Sequence, residues 1–225
     1  MQENYNKPNW LLRIISASMI FFVFALALWI SNTTFVLLML VILAGMLIEW
    51  YSITKSNLYY RSLSIFLPLP IICLIIVKLS FAHSSLLIFW YFLLIWTNDT
   101  VAMLAGRNIG GPKLAPVISP NKTWSGFIFG VVISSAFGVI TNKVLEYIFD
   151  NKIFTLNIST FNIWLIGLLI AIVAQISDLS VSLVKRKFKV KDSGTLIPGH
   201  GGVLDRFDSI ILTAPILLLF SILII

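Results

Sequence analysis

Asp205 and Asp208 stand three residues apart in the stretch IPGHGGVLDRFDS (197–209), in a chain where only 11% of residues are charged. At that spacing they share one face of an incipient helix and offer hard oxygens of the kind Mg²⁺ takes together with substrate phosphates. Gly199, Gly201 and Gly202 let backbone N–H groups approach anionic oxygens closely, with His200 among them. Just upstream, Lys185, Arg186, Lys187, Lys189 and Lys191 form a dense basic run, followed by Asp192. Gln175, Asp178, Ser182 and Lys185 follow a 3-4-3 spacing, which lines them along one helix face leading into that run. A polar stripe of this kind faces a cavity or a neighbouring element. A second segment, GRNIGGPKLAPVISPNKTWSGF (106–127), has a similar make-up. Gly110 and Gly111 free the backbone, Lys113 and Lys122 bring charge, and Ser119 and Thr123 bring hydroxyls just before a helix start, itself attractive to phosphate. The G-x-x-x-x-G-K-[ST] spacing of a P-loop is absent. The common denominator is metal, phosphate and cation chemistry.

The elements that must position these residues are membrane helices. Of 225 residues, 59% are hydrophobic, well above the soluble average. About 20 apolar residues are needed to cross a bilayer. Seven segments meet that requirement, at about 14–31, 34–51, 62–79, 84–105, 124–142, 161–182 and 207–225. The expected fold is all-α: one polytopic integral membrane domain over 1–225, with N-terminal scaffold spans in 1–95 and the chemistry in 96–225. Pro68 and Pro70 are expected to kink or break the third helix. The apolar run continues past Ala25–Ala27 to Ile30, so an uncleaved first span is expected instead of a signal peptide.

Of the 16 Lys and Arg residues, only Lys78, Lys143 and Lys152 fall on one side of this arrangement. The positive-inside rule then places the N-terminus in the cytoplasm and the C-terminus outside. An ionisable group at the centre of a membrane helix costs on the order of 2.5–3.5 kcal/mol, so Glu49, Asp99, Asp178, Asp205 and Asp208 each ask for a reason. All fall near cytoplasmic helix ends. Glu49 is balanced between a snorkelling carboxylate and a functional one. The net charge of +7 belongs to loops beside apolar segments, where it serves orientation and headgroup contact; nucleic acid is not an expected partner. Cys73 is alone in an apolar run and reads as a core residue. Trp10, Trp29, Trp50 and Trp90 suit interfacial belts, and His83 reads as an outer-loop residue.

Ser182 to Asp208 resembles the signature of the phosphatidate cytidylyltransferase (CDP-diacylglycerol synthase) family: S-x-x-K-R, then K-D, then P-x-H-G-G-x-x-D-R-x-D. SPNKTWSG (119–126) and NDTVAMLAGR (98–107) resemble further family segments in the same order, so the resemblance covers about 95–225. Ser177 departs from the usual Gly before the Asp, Met103 from a common aromatic and Asn121 from a frequent second Lys; the N-terminal half is shorter. The resemblance implies a membrane transferase acting on CTP and phosphatidate with Mg²⁺ as cofactor, and a homodimer. On that basis Asp178, Asp205 and Asp208 are the expected metal ligands, Lys185 and Arg186 neutralise phosphate, and His200 with Gly201 and Gly202 cradles it. Ser119, Lys122 and Thr123 would form the opposite wall for CTP, with Asp99, Ser182, Lys191, Asp192 and Arg206 completing the substrate site. The site would lie at the cytoplasmic face, open sideways to membrane lipids, where cytosolic CTP and a leaflet lipid meet. A prenyltransferase is the nearest rival, but Met103 stands where its second carboxylate is required. The spaced aspartates of a CDP-alcohol phosphotransferase and the inverted repeats of a transporter are not visible, and a scaffold protein would have little use for the 182–208 constellation.

Overall fold

A computed structural model describes residues 10–81, 83–150, 159–197 and 201–224. The chain is mostly helical. Helix α1 (Trp10–Ile30) turns directly into α2 (Asn32–Thr54) through Ser31. Ser31 makes a capping box with Thr34, so the reversal needs no loop because the cap itself satisfies the first orphan N–H groups. The third apolar segment is broken, as its prolines require: α3 (Leu58–Ser62), a 3-10 turn (Leu63–Phe66), then α4 (Pro68–Ser80), which begins on Pro68. Proline lacks an N–H and suits the first turn, where none is needed. Next come α5 (Ser84–Asn108), a β-hairpin, α6 (Trp124–Phe149) and α7 (Thr160–Lys187). A short α8 (Leu204–Phe207) precedes α9 (Ile210–Ile224), which contains Pro215.

The hairpin corrects the all-α expectation locally: β1 (Lys113–Ala115) pairs antiparallel with β2 (Ser119–Thr123). It is reached through Gly110 and Gly111, at φ +68° and +101°, a left-handed region that favours glycine.

Five stretches are long and apolar enough to cross a membrane: Asn32–Thr54, Leu58–Ser80, Ser84–Asn108, Trp124–Phe149 and Thr160–Lys187. Apolar helices over Ile15–Ile30 and Ile210–Leu223 are shorter. The outer surface carries large apolar side chains such as Val41, Ile48, Ile65 and Ile140 in the open, far more than a water-facing monomer shows.

Helix α5 packs most extensively on α6, and α6 in turn on α7. The α6 face toward them is small: Gly126, Gly130, Ser134 and Gly138 recur every four residues and are buried. Small residues let membrane helices approach to backbone contact. Trp90, buried on α5, donates its indole N–H to the Gly138 carbonyl at 2.7 Å. Trp50 is buried too and donates to the Tyr60 carbonyl at 2.9 Å. Neither belongs to an interfacial belt, contrary to the sequence expectation, because each indole N–H finds a carbonyl inside the bundle. Trp29 is exposed. Cys73 is buried in the core as expected. At the bundle end opposite the basic loops, buried Lys78 donates to the Leu28 carbonyl at 2.8 Å and to Ser85 Oγ.

Candidate functional site

The C-terminal half of α7, the hairpin, the middle of α5 and the segments 193–197 and 201–209 converge at one end of the bundle. The expected stripe on α7 is present. Gln175 is buried and donates to Asn98 Oδ1 at 3.2 Å and to the Phe127 carbonyl at 3.3 Å. Asn98 donates to the Ala171 carbonyl at 3.3 Å. This amide pair fixes α5 against α7 and sits one residue before Asp99 and three before Asp178, so it sets where both carboxylates emerge.

Asp178 pairs with Lys122 on β2, Oδ2 to Nζ 2.5 Å, and accepts from Ser182 Oγ at 3.3 Å. Its carboxylate lies close enough to that of Asp208 for the two negative charges to repel. Asp99 lies within electrostatic reach of Asp178, Lys122 and Arg206, with Ser209 beside it. Two like charges held this near are relieved by a cation placed between them. Among the described residues, no three His, Cys, Asp or Glu side chains gather closely enough to hold one metal ion. Mg²⁺ needs fewer, since it is commonly held by one or two carboxylates plus substrate phosphates and water. The Asp178 and Asp208 pair therefore fits that ion in its chemistry.

Asp205 takes a different set of partners. Its Oδ1 accepts from Lys185 Nζ at 2.6 Å, and its Oδ2 accepts from the backbone N–H groups of Ser193 at 2.8 Å and Gly202 at 3.0 Å. Burial acts to raise its pKa, but the Lys185 and two backbone hydrogen bonds together with the Lys185 charge outweigh it, leaving the value below the ordinary one. Asp208 is the C-cap of α8 and keeps a helical backbone (φ −59°, ψ −38°), and both it and Asp205 line the same cleft, but they are held by different partners. Ser177 holds that junction: its hydroxyl donates to the Asp208 carbonyl and accepts from Leu212 N–H at 3.2 Å.

The other expected residues take definite places. Arg186 donates from Nε to the Ile118 carbonyl at 3.0 Å and from Nη1 to the Val190 carbonyl at 2.9 Å, tying the hairpin tip to the end of α7. Thr123 is buried and caps α6, accepting from Gly126 N–H at 3.1 Å. Ser119 starts β2; Lys191 and Asp192 are exposed. Gly202 directs its N–H to Asp205, and Gly201, at φ +83°, pairs its carbonyl with Ile197 N–H at 2.9 Å. His200 and Gly199 lie outside the described residues.

Sequence reasoning gave Glu49 no definite role. It is 3% exposed and accepts from Ser193 Oγ at 2.7 Å, Val203 N–H at 2.8 Å and Leu204 N–H at 2.9 Å. Its only sequence signal was a carboxylate in an otherwise apolar helix.

A cleft of about 640 Å³ opens beside these groups. Its body is apolar, with Met19, Phe24, Leu38, Ile42, Phe92 and Trp96 from α1, α2 and α5; its end is charged, with Asp99, Asp205, Arg206 and Asp208. An amphiphile with an ionic head matches that shape and polarity.

Fold and site together define a helical protein with a membrane-type surface and an acid–base site at one end, suited to phosphate chemistry on an amphiphile. The sequence model of the cytidylyltransferase family matches residues 71–224, and the chain belongs to that family. It is 44% identical over 212 residues to a phosphatidate cytidylyltransferase of Rickettsia typhi, covering 94% of this chain and 91% of the relative. A protein of the same name from Rickettsia bellii is 43% identical over 218 residues, 96% of this chain and 93% of the relative. A Brucella abortus protein of that name is 43% identical over 134 residues, covering 60% of this chain and 46% of its own length.

Proposed function

We propose that the protein transfers the cytidylyl group of CTP to phosphatidate, giving CDP-diacylglycerol and pyrophosphate for phospholipid synthesis. The observation that carries this reading is the near full-length similarity to the rickettsial phosphatidate cytidylyltransferases. Family membership also disfavours the prenyltransferase and transporter alternatives. The apolar cleft would take the acyl chains and present the lipid phosphate to the charged end.

A phosphomonoester oxygen is largely deprotonated at neutral pH, so no general base is needed. That oxygen attacks the α-phosphorus of CTP; the bond from the α-phosphorus to the bridging oxygen breaks, and pyrophosphate leaves with the electron pair. The protein's task is to position the two anions in line and neutralise their charge. Lys122 and Arg206 supply positive charge at the cleft end. Asp178 and Asp208 would hold Mg²⁺, which when bound screens the triphosphate and stabilises the leaving group. Asp99, with Ser209 beside it, completes the polar wall. Lys185 and Asp205 hold the shape of the loop between α7 and α9, and Arg186 and Thr123 hold the hairpin wall. Ser119, Ser182, Lys191, Asp192, His200, Gly201 and Gly202 stay in the substrate site on the strength of the signature.

We place the enzyme in the membrane with seven spans, counting α1 and α9, with the N-terminus and the site cytoplasmic and the C-terminus outside. The distribution of Lys and Arg supports this orientation. Cysteine tagging that found residues 183–206 on the outer face would overturn it. Crosslinking of the purified protein tests the homodimer that the resemblance implies. The decisive experiment is detergent-purified protein given CTP and phosphatidate with and without Mg²⁺. The expected result is CDP-diacylglycerol and pyrophosphate in equal amounts, only with Mg²⁺; well-folded protein forming no product under either condition removes the reading.

A further inference from the structure

Glu49 lies on α2, before the residues that match the family, yet its hydrogen-bond partners Ser193, Val203 and Leu204 all belong to the loop between α7 and α9. Two glycines of that loop are packed onto its carboxylate. A Cβ on Gly194 would lie 2.8 Å from Oε1, and one on Gly202 would lie 2.3 Å from Oε2. Among the described residues neither ion pair involves Glu49, so its charge is met by N–H and O–H donors. Hydrogen bonds to an ionised acceptor are the strong ones.

Ser193 links this carboxylate to the next. Its hydroxyl goes to Glu49 and its N–H to Asp205, while Asp205 also takes Gly202 N–H and Lys185. Arg206 and Asp208, at the charged end of the cleft, follow directly on this clamp.

We infer that Glu49 is a positioning residue of the transferase: its buried carboxylate holds Ser193 against Val203 and Leu204, the arrangement that delivers Arg206 and Asp208 to the substrates. The inference rests on the cytidylyltransferase reading and extends the working site into the N-terminal half of the chain. A carboxamide cannot replace the carboxylate, because two donors meet Oε2 and one meets Oε1. Either orientation of an amide turns its NH₂ against at least one of them.

The experiment compares wild type, Glu49→Gln and Ser193→Ala as full-length protein in detergent, measuring kcat and KM for CTP together with amide hydrogen exchange in the 193–205 peptide. Product from wild type establishes the underlying reaction independently of the variants; no product from folded wild type removes that reaction and this inference with it. For Glu49→Gln we expect kcat/KM for CTP to fall roughly tenfold to a hundredfold, as for outer partners of a metal site, with faster exchange at Val203 and Leu204. Exchange elsewhere should be unchanged. Ser193→Ala, which removes one of the three bonds, shifts both readouts in the same direction by less, and it carries the test if Glu49→Gln does not fold. Unchanged kcat/KM per folded molecule in an active background overturns the proposal, as does unchanged exchange in 193–205. A fall in thermal stability with normal kinetics assigns Glu49 a purely structural role and overturns it equally.

Discussion

Lys185 Nζ lies 2.6 Å from Asp205 Oδ1, with side chains only 8% and 10% exposed. Removing one partner of a buried pair strands the other charge, which costs about 3–5 kcal/mol. Lys185→Met is therefore expected to lower the unfolding temperature strongly. The double variant Lys185→Met with Asp205→Leu should recover part of that loss. Thermal unfolding in detergent compares the two, and equal stability of single and double variants would show that the pairing is not what matters.

The acid limb of stability follows from the same carboxylate. Its pKa is depressed in the folded protein, so its contribution is fully present above the unfolded value near 3.9. That contribution is lost as pH falls from there through the folded value. Between pH 5 and 8 this group contributes no slope. Asp205→Asn should remove part of the wild-type fall in stability below about pH 4, measured by unfolding temperature against pH.

Asp178→Asn and Asp208→Asn test the proposed metal pair. Each should lower kcat on the order of a hundredfold or more, as loss of a transition-state charge stabiliser does, and raise the Mg²⁺ concentration needed for half-maximal rate. Mg²⁺ titration of initial rates reads both; near-normal turnover in either variant removes that residue from the metal site.

At the α5–α6 seam, a Cβ on Gly126 would lie 2.5 Å from the Ala102 carbonyl oxygen, whereas one on Gly130 would lie 2.9 Å from the side-chain ends of Asn98 and Gln175. Backbone yields less readily than side-chain termini. Both Gly→Ala variants should destabilise by about 1–3 kcal/mol, Gly126→Ala the more. Gly130→Ala should also lower activity, because it disturbs the amide pair that orients Asp99 and Asp178. Unfolding curves and initial rates on the two variants check this order.

Lys78→Met is the control at the far end. It leaves the Leu28 carbonyl without its lysine donor and should cost about 1–3 kcal/mol. The kcat/KM of the folded fraction should stay unchanged, since the residue is remote from the acid–base site. A matching loss of kcat/KM would show that the two ends are coupled.

The helices were largely legible because apolar length and proline position are local signals. Pro68 breaks its segment where expected, and Gln175 through Lys185 keep one face because α7 runs unbroken through them. The hairpin was not legible: three residues of β1 and a β2 containing Pro120 show no alternating pattern. Spacing brought Asp205 and Asp208 to one cleft but could not say that Asp205 is tied to Lys185, Ser193 and Gly202, because those partners come from outside α8. Glu49 was undecided because its partners are 144 to 155 residues away, a distance over which composition and periodicity say nothing.

That separation also sets an order of events during biosynthesis. At about 5–20 residues per second, the ribosome needs roughly 7 to 29 s after making Glu49 to reach Ser193. Through that interval α2 carries an ionisable group whose partners do not yet exist. The newborn protein thus makes these contacts only once Ser193, Val203 and Leu204 have been added, and a chain stalled before that point displays an unanswered carboxylate to any quality-control machinery that inspects membrane helices.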